Sequence, residues 1–209
     1  MTETESLFGD PGFDGPATPH DQHMTLSCDK DVFRDVIGHF ATGVTIITAR
    51  HEGTDYGLTV SAVTSLSLEP PMMIVCVNKT SRTLPAIRSS GTFGVNILGE
   101  HQGDLAERFA TNRDDKFDGI RVVYSDFGNP LLEEALAHLE CGVIQEVTGG
   151  THSIFLAVVQ RAERFEGSPL AYFRGKFGRL ELSDESPADD EVRNVLSEHF
   201  YNAVFLTDA

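Results

Sequence analysis

Basic residues are scarce in this sequence. Its 209 residues carry 16 Lys and Arg against 32 Asp and Glu, a formal net charge of −16. An acidic balance repels phosphate backbones, which argues against a nucleic-acid partner. The imbalance is local: residues 1–31 hold seven acids and one base, and residues 181–209 hold eight acids and one base. Residues 32–180 hold seventeen acids and fourteen bases and are close to neutral. The flanks therefore read as solvated, self-repelling arms. Long apolar runs are missing too. MMIVCV, Met72 to Val77, is far too short to span a bilayer, so no membrane role is expected. The first twenty residues show no basic n-region and no apolar h-region, which predicts a cytoplasmic protein.

Other absences narrow the chemistry. Cys28, Cys76 and Cys141 are odd in number and form no CxxC pair, so neither a disulfide framework nor a thiolate metal site is expected. Cys76 in IVCV and Cys141 in LECGV read as small buried hydrophobes. No Gly-x-Gly occurs, which removes the dinucleotide fingerprint of a Rossmann domain. Gly175-Lys176 is followed by Phe177, so there is no P-loop, and GxSxG and HExxH are absent. His138-x-Glu140 imitates half of a zinc deaminase signature, but no PCxxC follows. His20 and His23, in a carboxylate-flanked leader, read as inert, and no metal is expected.

Apolar residues at 40% and charged residues at 23% describe one globular domain with appendages. Residues 1–26 contain three Pro, three Gly and scattered acids, and read as a mobile acidic leader. Residues 27–182 form the domain. Residues 183–209 form an acidic linker, SDESPADD, and a short amphipathic helix carrying Val192, Val195, Leu196, His199 and Phe200.

Within the domain, Val32, Phe33, Val36, Ile37 and Phe40 recur at helical spacing, with Ser27 or Asp29 to cap the helix and Gly43 to end it. Strand texture follows at Val44–Thr48, Leu58–Val63, Met73–Asn78, Phe93–Leu98, Ile120–Tyr124, Leu139–Val147, Ser153–Phe165, Ala171–Arg174 and Phe177–Leu182. Arg50 to Thr54 reads as a polar turn. Two short helices are predicted at Thr83–Ser90, with Pro85 in its first turn, and at Asp104–Thr111. Many strands with few helices indicate a mainly β barrel, not alternating βαβ units.

The positive chemical signal lies in GLTVSAVTSLSLEPP, Gly57 to Pro71, with hydroxyls at Thr59, Ser61, Thr64, Ser65 and Ser67. The run reads either as the solvated face of an edge strand or as a ledge where small residues let a flat ligand approach the backbone. NKTSRT, Asn78 to Thr83, follows a strand and opens a helix. Exposed N–H groups with Lys79 and Arg82 suit a phosphate. Together the two clusters suggest a flat heterocycle bearing a phosphate.

The sequence resembles the short-chain flavin reductases, the reductase components of two-component flavin-dependent monooxygenases. The likeness runs from about Phe33 to Leu180. It rests on FATGVTIIT (Phe40–Thr48), GLTVSAVTSLSLEPP, NKTSRT, FGVNIL (Phe93–Leu98), LAERFA (Leu105–Ala110), DKFDG (Asp115–Gly119), GTHSIFLAVV (Gly150–Val159) and PLAYFRGKFG (Pro169–Gly178). The resemblance implies a split β-barrel that is homodimeric and binds FMN or FAD at the dimer interface. By that likeness Ser61, Ala62, Val63, Thr64, Ser65, Ser67 and Leu68 line the ring and ribityl chain. Lys79, Ser81, Arg82 and Thr83 hold the phosphate side, and Arg108, Phe109, Lys116 and Phe117 lie near the flavin's outer end. His152, as catalytic candidate, and Tyr172, Phe173, Arg174 and Gly175 match the nicotinamide-facing elements. The chain departs from the pattern at Thr151, where the family usually has Asp, and at Ala157, where it often has Gly.

The implied reaction is hydride transfer from NADH or NADPH to free FMN or FAD, with reduced flavin passed to a partner monooxygenase. It needs the two rings stacked at about 3–3.5 Å and no general base. An oxidase of the pyridoxamine-phosphate type and a non-catalytic flavin-binding protein are the alternatives. The first would not consume NADH, and the second would bind flavin without turnover.

Overall fold

The computed structural model describes residues 28–181. The acidic leader, the His20/His23 pair, Ser27, the linker and the C-terminal helix lie outside the described residues. The chain divides into two compact units, residues 1–37 and residues 38–209.

In the first unit, α1 spans Lys30–Ile37. The Asp29 carboxylate accepts the N–H groups of Asp31 at 2.8 Å and Val32 at 3.2 Å, which makes it the cap. The helix stops at Ile37 and does not run on to Gly43 as the periodicity predicts. Gly38 follows, and the conformational freedom of glycine disfavours a further turn, so Phe40 is off the helix. Val32, Phe33, Val36 and Ile37 are all exposed.

The second unit is mainly β. Its elements are β1 (Thr42–Gly43), β2 (Thr45–His51), β3 (Thr54–Val60), β4 (Val63–Leu68), β5 (Pro71–Asn78), α2 (Thr83–Ser90), β6 (Thr92–Ile97), α3 (Gly103–Ala110), β7 (Val122–Tyr124), β8 (Pro130–Leu132), β9 (Ala137–Gly149), β10 (His152–Arg164), β11 (Leu170–Phe173) and β12 (Lys176–Arg179). Seven strands form one sheet in the order β3-β2-β6-β9-β10-β5-β4, antiparallel at every step. Smaller sheets join β1-β11-β12 and β7-β8.

The predicted single strand Leu58–Val63 breaks at Ser61-Ala62, and the break shapes the molecule. Val60 pairs with Thr45 at one edge of the sheet, while Val63 pairs with Val75 at the other. Three residues reach at most about 10 Å, so the two edges must approach and the sheet curls into a barrel.

Pattern and packing agree along the central strands. In β5, Met73, Val75 and Val77 are buried and alternate with half-buried neighbours. They meet Ile47, Phe93, Val95 and Phe155, and α2 lays Leu84, Ala86 and Ile87 on the same core. A second core gathers Val44, Ile46, Leu98 and Leu170 with Ala106 and Phe109 of α3. β2 separates the two cores, Ile46 facing one and Ile47 the other, hence its unbroken run of buried residues from Thr45 to Ala49. Burying one such side chain contributes about 1.5–3 kcal/mol. Cys141 is buried in the first core, and desolvation pushes its thiol up to about 12, which leaves it unreactive.

Four hairpins turn on two residues, among them Glu52-Gly53 between β2 and β3 and Arg174-Gly175 between β11 and β12. In these two turns each residue has positive φ, the geometry that matches the twist of the flanking strands. No helix among the described residues is long and apolar enough to cross a membrane.

Candidate functional site

A cavity of about 410 Å³ opens between β3, the turn from Asn78 to Arg82, and the segment from Phe109 to Phe117. Its wall depends on Gly57. A Cβ at this position would stand 2.6 Å from the ring of Phe109 and 3.3 Å from that of Phe117, so β3 reaches α3 only because residue 57 lacks a side chain. The Thr59 hydroxyl donates to the Ala106 carbonyl at 2.6 Å and fixes the same contact. The rings of Phe109 and Phe117 meet edge-on at 5.0 Å; Phe109 is fully buried behind, and half-buried Phe117 gives the cavity its aromatic wall.

Charged groups hold the loop that follows α3. Lys116 Nζ donates to Gly57 O at 2.9 Å and Phe109 O at 3.0 Å, satisfying a carbonyl at the helix C-terminus. Desolvation and, secondarily, the nearby Arg82 charge hold its amine below the ordinary lysine value. The Arg108 guanidinium donates to Asp115 O and, at 2.7 Å, to Asp118 O. Arg113 donates to the Asp115 carboxylate at 2.5 and 2.8 Å, and this holds Asp115 below the usual carboxylate range. On the opposite wall Arg82 pairs with Asp114, whose hydrogen bond and charge raise the guanidinium further.

The turn that presents Arg82 is built locally. Asn78 Oδ1 accepts Thr80 N–H at 2.9 Å and Thr80 Oγ1 at 2.8 Å. The Ser81 hydroxyl accepts Thr83 N–H at 3.1 Å, and Arg82 stands at the N-cap of α2 without a side-chain cap bond of its own. This turn is tied to the β9–β10 hairpin: Lys79 Nζ donates to Gly150 O at 2.8 Å and Lys79 N–H to Thr151 O at 3.0 Å. His152 opens β10 opposite Asn78, with Nδ1 2.9 Å from Thr151 Oγ1. Arg88 of α2 grips the Glu146 carboxylate through Nε and Nη2 and braces the same hairpin.

The cavity thus gathers Ser81, Arg82, Phe109, Lys116 and Phe117 of the residues singled out from the sequence. The others stand elsewhere. Ser61, Ala62, Thr64, Ser65 and Leu68 lie exposed along the β4 edge, with Val63 and Ser67 half-buried, beyond the cavity lining. Lys79 and Arg108 engage backbone carbonyls, and Thr83 is buried in the first turn of α2. Tyr172, Phe173, Arg174 and Gly175 form the tip of the β11–β12 hairpin, where Arg174 N–H donates to Gly38 O at 2.9 Å and Phe173 packs edge-on against His39. Lining residues that the sequence reading passes over include Tyr56, Asn112 and Asp114.

Comparison with known proteins supplies independent findings. Residues 37–181 match the family described as flavin reductase like domain. The reductase component of 4-nitrophenol 4-monooxygenase/4-nitrocatechol 2-monooxygenase from Rhodococcus opacus is 51% identical over 162 residues, 78% of this chain and 87% of that protein. The structure of a nitrilotriacetate monooxygenase component B homologue from Mycobacterium thermoresistibile superposes with a TM-score of 0.73 at 38% identity, covering 78% of this chain and 94% of that one. The NADH:FAD oxidoreductase SgcE6 of Streptomyces globisporus, solved with NAD and FAD fragments, superposes with a TM-score of 0.70 at 33% identity, covering 76% and 96%.

Proposed function

The chain belongs to the flavin reductase like domain family, and from that premise we propose that it transfers hydride from NADH to free FMN or FAD and passes the reduced flavin to a partner monooxygenase. The observation that carries the reading is the cavity where the Asn78–Arg82 turn faces Phe117 and the loop after α3. Its size falls within the range of small-ligand sites, and it combines an aromatic wall with cations. Those residues fit a phosphorylated heterocycle. The Arg82 guanidinium suits the phosphate, and the hydroxyls of Ser61, Thr64, Ser65 and Ser67 along β4 suit the ring and ribityl chain.

Bound flavin supplies the hydride-accepting chemistry. The chain's own work is to bind, orient and release. Gly57 and Thr59 set the distance between β3 and α3, Lys116 and Arg108 hold the loop that closes one wall, and the Lys79 bonds place the hairpin bearing His152 beside the phosphate turn. The β11–β12 tip with Arg174 serves the nicotinamide. A cytoplasmic address agrees with three free cysteines and with a reaction that draws on NADH.

The protein functions as a homodimer in this reading, with the β4 edge at the interface. The test of the activity is nicotinamide oxidation followed with and without added FMN or FAD. The expected result is consumption of NADH only when flavin is present. No flavin-dependent oxidation with either NADH or NADPH would overturn the reading.

A further inference from the structure

Arg82, the cation that suits a ligand phosphate, is already held by a carboxylate of the same chain. Its partner Asp114 belongs to the loop after α3, 32 residues along the chain, and both side chains line the cavity from opposite walls. The pair is open to solvent, with Asp114 82% and Arg82 58% exposed, so it contributes little to the fold. The loop does not depend on it. Lys116 on Gly57 O and Phe109 O, Arg108 on Asp118 O, and Arg113 on Asp115 keep that segment in place.

From this arrangement we propose that Asp114 is an affinity-setting residue, an internal anion that competes with the flavin phosphate for Arg82 and hastens release of the flavin. The proposal rests on the flavin reading above. A phosphate monoester carries nearly two negative charges and three acceptor oxygens, so it displaces a single carboxylate from a guanidinium. The displaced carboxylate stays on the cavity wall and repels the new anion. Binding is weakened by the competition and by the repulsion. A reductase whose product must leave for another enzyme gains turnover from this device, because tight binding of the product would hold it on the protein. The oxidised ring and the ribityl chain carry no charge, so in a titration with oxidised flavins the effect belongs to the phosphate alone.

Fluorescence titration of the full chain with FMN and with riboflavin tests this, using wild type, Asp114→Asn, Asp114→Glu and Arg82→Gln. We expect Asp114→Asn to bind FMN about three- to tenfold more tightly at low salt and to release it more slowly in stopped flow, with the gain shrinking as salt rises. Riboflavin affinity stays at the wild-type value, Asp114→Glu behaves as wild type, and Arg82→Gln loses FMN affinity only. An equal shift of both ligands in Asp114→Asn would mean that the residue acts through loop shape, and the proposal would fall while the flavin reading stood. Unchanged FMN affinity in Asp114→Asn would overturn it likewise. If wild type bound neither flavin, the reading beneath it would fall as well.

Discussion

At the scale of single residues, the site turns on one atom that is missing. Gly57 has an ordinary strand conformation, so its backbone tolerates any residue, and the constraint is space alone. The Phe109 ring that a Cβ would strike is fully buried in the second core and cannot swing aside. Overpacking of this kind costs about 1–3 kcal/mol. Gly57→Ala should lower the denaturant midpoint accordingly and weaken flavin binding, because β3 must move off α3. The double variant Gly57→Ala/Phe109→Leu should recover part of both losses, since the two positions couple through direct contact. Additive losses in the double variant would show that the crowding lies elsewhere.

At the scale of elements, the legible and the illegible parts of the sequence divide by range of interaction. Thr83–Ser90 reads correctly to the residue, since Pro85 in the first turn and Gly91 at its C-cap are local signals. The long strands β9 and β10 also read well, because their inner halves alternate or run apolar. Two things did not read. The break between β3 and β4 leaves no punctuation in TVSAV, because it is imposed by pairing with partners at opposite sheet edges. Nothing local marks Asp114, which stands between Arg113 and Asp115; only the fold brings it to Arg82. The motifs from Ser61 to Leu68 and from Tyr172 to Gly175 were legible as separate elements, and the structure keeps them on different sheets.

That separation makes a test at the same scale. Arg174→Ala should raise the nicotinamide KM about ten- to a hundredfold while leaving flavin affinity unchanged, the loss expected for a hydrogen bond to a charged group. Arg174 already sits at φ 48°, so alanine adds no backbone strain to the turn. Ser65→Leu should do the reverse, since a branched side chain on the β4 ledge obstructs a flat ring. Equal damage to both ligands from Arg174→Ala would put the hairpin tip on the flavin side.

At the scale of the whole molecule, the site is one-sided. The β4 ledge is an edge strand open to solvent, with Leu66 40% and Leu68 50% exposed beside its hydroxyls. Small-ligand sites cover most of their ligand, and an unpaired apolar edge is a feature that folded proteins cover or blunt. In the reading proposed above, a second copy of the chain supplies the missing wall. Charge does not oppose such an association, because thirteen of the sixteen net negative charges lie in residues 1–31 and 181–209 and residues 32–180 are close to neutral. Sedimentation should therefore give the mass of a dimer. Leu66→Glu, which places a carboxylate on that edge, should yield a monomer with an unchanged circular-dichroism spectrum and weakened flavin binding. Leu66→Met should remain dimeric and active, which separates loss of the apolar contact from a change at the position itself. A wild type that sediments as a monomer yet reduces flavin at full rate would place the whole site within one chain.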